Sequence, residues 1–352
     1  MADVQDWLKM AVEENTSDIF LGAGRRVSFK IDGVIVSKGD KVMPEEAERL
    51  VYDLYKLARR DPAKFEACGD DDFSMAIPHL ARFRVSAYRQ RGTVAAVIRV
   101  VLFNLPDYQQ LRIPSEVMKI ASERHGIVLV TGPAGSGKTT TLACIIDAIN
   151  QSRNTHVITL EDPIEYLHRD DHSLISQREV SLDTESYLTA LRACLRQAPD
   201  IVLLGEMRDY ETIQTAMTAA ETGHLIISTL HTVGAVNTID RIVDVFPPGQ
   251  QQQVRVQLSM LLKTVVTQQL LVSKNGGQLP AFEIMHVNSA IRNLIRESKT
   301  HQIDNVIQTS ASEGMVGMDA YIYTMFQKGE IAAETAVSQA SNPEQMARRV
   351  GH

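Results

Sequence analysis

The sequence predicts an α/β fold in which helices cover both faces of a parallel sheet, preceded by a smaller α+β domain. Three observations support this prediction. A glycine-rich turn stands between an apolar strand and a helical stretch at residues 127–146, short apolar strands alternate with helical stretches from residue 156 onward, and closely spaced strand patterns fill most of the first hundred residues. At 352 residues, the chain is long enough for two domains with separate cores.

The first domain is predicted over residues 1–104, with helices and an antiparallel sheet. Apolar residues at helical spacing predict helices at residues 4–12 and from Pro44 onward. Strand patterns cover residues 17–22, 27–31, 34–36, 72–77, 82–88 and 93–101. Asp32-Gly33 is a hairpin signal between two of these strands. Prolines then punctuate a predicted linker over residues 105–115.

The second domain is predicted over residues 116–352 and ends in a helical extension. Its predicted parallel strands cover residues 127–130, 156–160, 201–204 and 225–229. The most apolar later window runs from Leu258 to Val272, and Lys263, Gln268 and Gln269 interrupt it. We therefore expect a buried helix in this window and no transmembrane segment. Helical spacing at 315–326 and 332–340 indicates packing elements without chemistry.

The net charge, the cysteine spacing and the first residues argue against several classes of protein. The formal net charge is −7, so no large basic field is expected to follow a nucleic-acid backbone, and direct nucleic-acid binding is not predicted. The three cysteines lie far apart without a CxxC pair, which argues against a structural zinc site. No basic segment followed by an apolar one begins the chain, so no signal peptide is expected.

The glycine-rich turn has the sequence of a phosphate-binding P-loop. Its residues, with the first helical residue after them, are Gly132, Pro133, Ala134, Gly135, Ser136, Gly137, Lys138, Thr139 and Thr140. Glycines let backbone N–H groups close around phosphates, and the helix that follows adds its positive dipole end. Lys138 can reach the β- and γ-phosphates, and the Thr139 hydroxyl can bind Mg²⁺. The turn therefore predicts ATP and Mg²⁺ as the ligands.

Three further strands each end in a residue that can serve ATP hydrolysis. Glu161, Glu206 and His231 follow the strands at 156–160, 201–204 and 225–229. Parallel strands meet at one edge of the sheet, so we expect these side chains to converge near the γ-phosphate. Glu206 is predicted to activate water, although Gly205 takes the place of the usual metal-binding Asp. Glu161 is predicted to position Mg²⁺ or water, and His231 to sense the γ-phosphate or couple subunits.

Together these segments resemble a known family. The secretion ATPases that serve type II secretion and type IV pili carry a Walker A motif, an Asp box, a Walker B motif and a His box in this order. Four segments of this sequence resemble them: the glycine-rich loop, ITLEDPIE at 158–165, GEMRD at 205–209 and GHLIISTLHT at 223–232. AIRNLIRE at 290–297 resembles a signature of the retraction branch, the PilT-like motors. Many extension and type II secretion motors carry an additional N-terminal region and a four-cysteine motif. This sequence shows neither feature.

This resemblance implies a RecA-like P-loop NTPase domain behind a PAS-like N-terminal domain, assembled as a homo-hexamer. It implies an ATPase that powers pilus retraction and twitching motility. The candidates to reach a neighbour's nucleotide are Arg82, Arg84, Arg91 and Arg99 of the first domain, and Arg82 and Arg99 are preferred. The implied partners are an inner-membrane platform protein (PilC-like) and, through it, pilin. The implied location is cytoplasmic, at the inner-membrane base of the pilus.

The sequence departs from the family pattern at two places. Gln197-Ala198 stands after Arg196 where an acidic pair is common, and Val233-Gly234-Ala235 stands where Asn-Ser-Ala usually follows the His box. Neither change removes a residue assigned to chemistry, but both could alter turnover or subunit coupling. An auxiliary retraction paralogue, an extension or type II secretion motor, a slow nucleotide switch and a nucleic-acid motor remain the alternatives.

Overall fold

A computed structural model describes residues 3–31, 33–78, 80–101, 105 and 107–351. Asp32 of the predicted hairpin and Pro106 of the predicted linker lie outside these residues. The chain forms two compact units, one of residues 1–105 with 165–167 and one of 106–164 with 168–352. Within the part of the chain that is described, no helix combines the length and the apolar character needed to cross a bilayer.

The first unit contains a six-stranded antiparallel sheet. Its strands are β1 (Asp18–Gly22), β2 (Arg26–Ile31), β3 (Val34–Lys41), β4 (Asp70–Ile77), β5 (Ala81–Gln90) and β6 (Thr93–Val101). They are arranged in the order β3-β2-β1-β6-β5-β4. The six strand patterns predicted from the sequence are all present. The sheet is antiparallel because hairpins join most of its consecutive strands.

Three helices accompany this sheet: α1 (Val4–Glu13), α2 (Pro44–Ala58) and α3 (Ala63–Cys68). Leu8 of α1 and Leu54 of α2 are fully buried and share one apolar core with Phe29 and Phe83 of the sheet. Each fully buried side chain of this size contributes about 1.5–3 kcal/mol. The first two helices match the predicted ones, whereas the short α3 was not predicted.

The second unit contains a seven-stranded sheet with the order β13-β12-β7-β11-β10-β8-β9. Its strands are β7 (Gly126–Thr131), β8 (His156–Glu161), β9 (Leu174–Glu179), β10 (Ile201–Leu204), β11 (Leu225–Leu230), β12 (Leu262–Val272) and β13 (Gln278–His286). All neighbouring strands are parallel except the hairpin of β12 and β13. The predicted α/β architecture is confirmed, with an antiparallel edge added.

Helices of the second unit connect the strands and form a C-terminal extension. They are α4 (Ser115–Met118), α5 (Lys138–Ser152), α6 (Tyr187–Cys194), α7 (Tyr210–Glu221), α8 (Ala235–Asp244), α9 (Pro248–Leu261), α10 (Ser289–Arg296), α11 (Ile303–Thr309), α12 (Met318–Gln327), α13 (Ala333–Gln339) and α14 (Pro343–Val350). The C-terminal helices enclose a second apolar cluster that includes Leu271, Met318 and Ile322. This cluster agrees with the packing role predicted for the segment.

The predicted buried helix at residues 258–272 is wrong. Only its first four residues finish α9, and the remainder is strand β12. Val265, Val266 and Thr267 supply a β-branched run, which favours strand over helix. β12 lies between β7 and β13 and is buried on most of its length, so it carries no polar alternation. Periodicity alone does not separate such a strand from a buried helix.

Candidate functional site

Four neighbouring parallel strands bring the predicted site residues to one edge of the second sheet. In spatial order these strands are β7, β11, β10 and β8. The glycine-rich loop follows β7, His231 follows β11, Glu206 lies two residues beyond β10, and Glu161 ends β8. A right-handed crossover places the next strand's carboxyl end at the same edge, so the chain returns to this edge each time. The predicted convergence is therefore present in the strand arrangement.

The loop between β7 and α5 closes tightly over β12. Gly132 has φ of 138°, and a Cβ there would lie 2.2 Å from the backbone oxygen of Gln268. Gly137 has φ of 86° and precedes α5 in the left-handed conformation. A Cβ at Gly137 would lie 2.9 Å from Gln268 Nε2. Gly132 therefore requires glycine for both conformation and space, and Gly137 favours glycine for its conformation.

Lys138 and Ser136 turn their polar atoms into this loop. Lys138 is 8% exposed, and its Nζ donates to the carbonyls of Gly132 and Pro133 at 2.9 Å each. The Ser136 hydroxyl is buried, and within the described residues no hydrogen-bond partner satisfies it. An unsatisfied buried hydroxyl costs stability unless a ligand or water completes its hydrogen bonds. A phosphate oxygen held by the loop would accept a hydrogen bond from the Ser136 hydroxyl. The loop is therefore chemically suited to bind the phosphates of a nucleotide.

A cavity of about 330 Å³ opens beside the first turn of α5. Gly137, Thr140 and Thr141 line it together with Gln268, and residues 110–113 and 278–280 complete its wall. Thr141 Oγ1 donates to Gln268 Oε1 at 2.7 Å, which fixes the amide beneath the loop. The cavity adjoins the phosphate loop, because Gly137 belongs to both.

Glu206 lies between Arg208 and His231. Its Oε2 is 2.5 Å from Arg208 Nε and 3.6 Å from His231 Nε2. The Glu206 side chain is 14% exposed, whereas the other two side chains are more than half exposed. The hydrogen bond that Arg208 donates to the Glu206 carboxylate raises the pKa of Arg208. These residues line a cavity of about 370 Å³ with Met207, Thr229 and Arg241, so a water or phosphate oxygen can approach the carboxylate.

Tyr187 explains why glycine occupies position 205. A Cβ at Gly205 would lie 2.7 Å from the Tyr187 hydroxyl and 3.2 Å from the Leu160 carbonyl. The side chain of a metal-binding Asp would therefore collide with Tyr187. Burial raises the pKa of Tyr187, with Glu206 adding to the rise. Tyr187 thus occupies the space that a side chain at position 205 would need.

Glu161 is held by neighbours on its own strand and on β9. Its Oε1 accepts hydrogen bonds from Thr159 Oγ1 at 2.5 Å and Gln177 Nε2 at 3.1 Å. Both donors orient the carboxylate at the end of β8.

Thr139 lies half-buried in the first turn of α5. Among the described residues, no three His, Cys, Asp or Glu side chains form a group that could hold a metal by themselves.

The predicted arginines lie in the first unit. Arg82 is half-buried on β5, opposite Val101. Arg99 lies on β6 opposite Asp18, and its Nε donates to Asp18 Oδ1 at 2.9 Å. That ion pair gives Arg99 a structural partner within its own sheet. The role of either arginine at a nucleotide stays a prediction.

Two neighbours of the site were not predicted from the sequence, Gln268 and Tyr187. Both come from segments far along the chain from the motif that they contact. Gln268 interrupts an apolar run, which is the signal that could have marked it, because a buried amide needs a polar partner. Tyr187 stands in an ordinary helix start after Ser186 and carries no comparable signal.

Comparisons with known proteins agree with the geometry. Residues 1–276 match the family described as Type II/IV secretion system protein. The type IV pilus retraction ATPase PilT of Pseudomonas aeruginosa is 41% identical over 345 residues, which cover 97% of this chain and 99% of that protein. A twitching motility protein of Neisseria gonorrhoeae is 49% identical over 276 residues, covering 78% of this chain and 74% of that protein.

A solved structure of the pilus retraction motor PilT with bound ADP superposes with a TM-score of 0.91. It is 41% identical in sequence, and the match covers 99% of this chain and 100% of that one. The chain therefore belongs to the Type II/IV secretion system protein family of ATPases and, within it, to the PilT-like members.

Proposed function

We propose that this protein is the ATP-hydrolysing motor of type IV pilus retraction. The observation that carries the proposal is the joint presence of a complete phosphate loop and the Glu206–His231 pair at one edge of the sheet, in a chain 41% identical to PilT along nearly its whole length. ATP is the substrate, and ADP and phosphate are the products.

In the proposed reaction, the loop residues from Gly132 to Thr140 bind the phosphates through backbone N–H groups, and Lys138 bridges the β- and γ-phosphates. Glu206 accepts a proton from the attacking water, and His231 holds the carboxylate and contacts the γ-phosphate. Lys138 already makes two hydrogen bonds to loop carbonyls, so nucleotide binding exchanges those bonds for bonds to phosphate.

We propose that Thr139, with Glu161 and Glu206 nearby, holds Mg²⁺ on the bound nucleotide. Mg²⁺ prefers oxygen ligands and usually takes several of them from water and substrate phosphates. When bound, it neutralises charge that develops on the phosphate oxygens. Glu161 is pre-oriented for this role by Thr159 and Gln177.

The proposed motor is a homo-hexamer in which Arg82 or Arg99 of one subunit reaches the nucleotide of its neighbour. An arginine at the γ-phosphate stabilises charge in the transition state. We propose residues 1–104 and 116–352 as the moving domains and 105–115 as the hinge. The proposed location is the cytoplasmic side of the inner membrane, where a platform protein would transmit the motion to pilin.

Mixed rings test this shared site. We expect Lys138→Ala and Arg82→Ala proteins each to lack Mg²⁺-dependent ATP hydrolysis, and activity to return when their subunits exchange. In randomly mixed rings about one quarter of the subunit junctions combine an intact loop with an intact neighbouring arginine, so about one quarter of wild-type activity is expected. The measurement is phosphate release after mixing.

Arg26→Ala, which changes an exposed arginine at the beginning of β2 in the same unit, is the matched control and should retain activity alone. Subunit exchange is verified by a fluorescent label on each variant. Exchanged rings that stay inactive would show that Arg82 does not act on a neighbour's nucleotide, and the same mixture with Arg99→Ala then tests the second candidate. Hydrolysis stimulated by DNA would instead favour a nucleic-acid motor.

A further inference from the structure

Glu283 is a buried carboxylate that accepts hydrogen bonds from the beginnings of two helices. It lies on β13 and is 9% exposed. Its Oε1 accepts from the backbone N–H of Ala235, the first residue of α8, at 2.8 Å. Its Oε2 accepts from the N–H of Met318, the first residue of α12, at 3.4 Å. Burial raises the pKa of Glu283, and these two backbone donors oppose that rise.

The turn that carries His231 is fastened to the same end of α8. Thr232 and Thr238 share a hydrogen bond of 2.7 Å between their hydroxyls, and Thr238 Oγ1 also donates to the Gly234 carbonyl at 2.8 Å. Asn237 Nδ2 donates to the Val233 carbonyl at 2.8 Å. The turn and the first turn of α8 are therefore one hydrogen-bonded piece. Whatever fixes the beginning of α8 also fixes the turn.

Gly234 makes this arrangement possible at the junction. Its φ of 89° is a conformation that favours glycine, and it sits directly before the N–H that Glu283 accepts. The residues at this junction are Val233, Gly234 and Ala235. The junction between the His231 turn and α8 therefore depends on the positive φ of Gly234.

Glu283 lies in cross-strand register with two buried threonines at the start of the phosphate loop. Thr131, Thr267 and Glu283 occupy matching positions on β7, β12 and β13. Thr131 and Thr267 are almost completely buried, and their hydroxyls are 2.9 Å apart. Thr131 immediately precedes Gly132. Residues paired across adjacent strands project to the same face of a sheet, so these three side chains share one face.

We propose that Glu283 is a positioning residue that holds the His231 turn at the catalytic edge. This proposal rests on the proposed function and deepens it. Glu283 acts through α8 and His231 and does not touch the nucleotide. Its carboxylate couples α12 of the C-terminal extension to the group that faces Glu206.

The test compares Glu283→Leu, Glu283→Gln and His231→Ala in full-length protein. Leucine has a similar size but no acceptor, whereas glutamine keeps one oxygen for the Ala235 N–H. We expect Glu283→Leu to lower kcat about tenfold with KM for ATP unchanged, and Glu283→Gln to restore kcat to within about twofold of wild type. ADP affinity and the thermal melting curve are measured alongside to verify folding.

A double-mutant cycle distinguishes an effect of Glu283 on the position of His231 from a general loss of protein structure. If Glu283 acts through His231, Glu283→Leu should change kcat by less than about twofold when His231 is already alanine. An equal loss of kcat with and without His231, or full activity of Glu283→Leu, would overturn the inference. Lys138→Ala serves as the separate control: an active Lys138→Ala protein would refute the proposed function, whatever Glu283 does.

Discussion

Glu206→Gln should reduce ATP hydrolysis about 100-fold to 10,000-fold, the range associated with losing a group that transfers a proton in the transition state. The glutamine keeps the shape of the carboxylate and a hydrogen-bond acceptor for Arg208 and His231, but it cannot accept the proton of water. Nucleotide binding should therefore remain close to wild type. Phosphate release and binding of a fluorescent ADP analogue are the two measurements.

Glu211→Gln is the matched control for this variant. Glu211 follows the same strand, but its side chain is 59% exposed and pairs only with Arg192 among the contacts that the described residues provide. Surface ion pairs of this kind contribute about 0–1 kcal/mol, so its hydrolysis should be unchanged. Normal turnover by Glu206→Gln would remove Glu206 from the role of base, and Glu161 would become the carboxylate to test.

Lys138→Ala should reduce hydrolysis about 100-fold or more and weaken ATP binding as well, because it removes a cation from phosphate oxygens that carry the transition-state charge. Lys138 is buried in the loop and donates to two of its carbonyls, so alanine also loosens the loop. The expected signature differs from that of Glu206→Gln: both binding and turnover fall. Isothermal titration with ATP and phosphate release measure the two effects.

Lys299→Ala provides the control for lost charge, since Lys299 is an exposed side chain of the same unit paired with Glu297. Its binding and turnover should equal those of the wild type. Lys138→Ala protein that binds and hydrolyses ATP normally would mean that the glycine-rich loop does not hold the reacting phosphates.

Short sequence motifs were enough to predict most of the residues that meet at the edge of the second sheet. The loop from Gly132 to Thr139 is continuous in sequence, and Glu161, Glu206 and His231 each lie within two residues of the end of a short apolar strand. Parallel strands bring such positions together without further information. The first-domain strands were predictable for a related reason, because alternation and hairpin signals are local properties of the chain.

Contacts between distant segments were not predictable in this way. Gln268 reaches Thr141 across 127 positions, and Glu283 reaches Ala235 across 48. Spacing within one segment does not encode such pairs. β12 was mistaken for a helix because a strand buried on both faces loses its alternation, and β9 was missed because its residues at an edge of the sheet are mainly polar.

The most direct measurement of the central claim is pilus retraction in the source strain whose own gene carries Glu206→Gln. Labelled pili are followed by microscopy beside the wild type and the Glu211→Gln control. A retraction motor predicts that pili still assemble, stay extended and no longer pull cells across a surface. Cells without pili would instead indicate an extension motor, and normal retraction despite an inactive purified variant would contradict the proposed function.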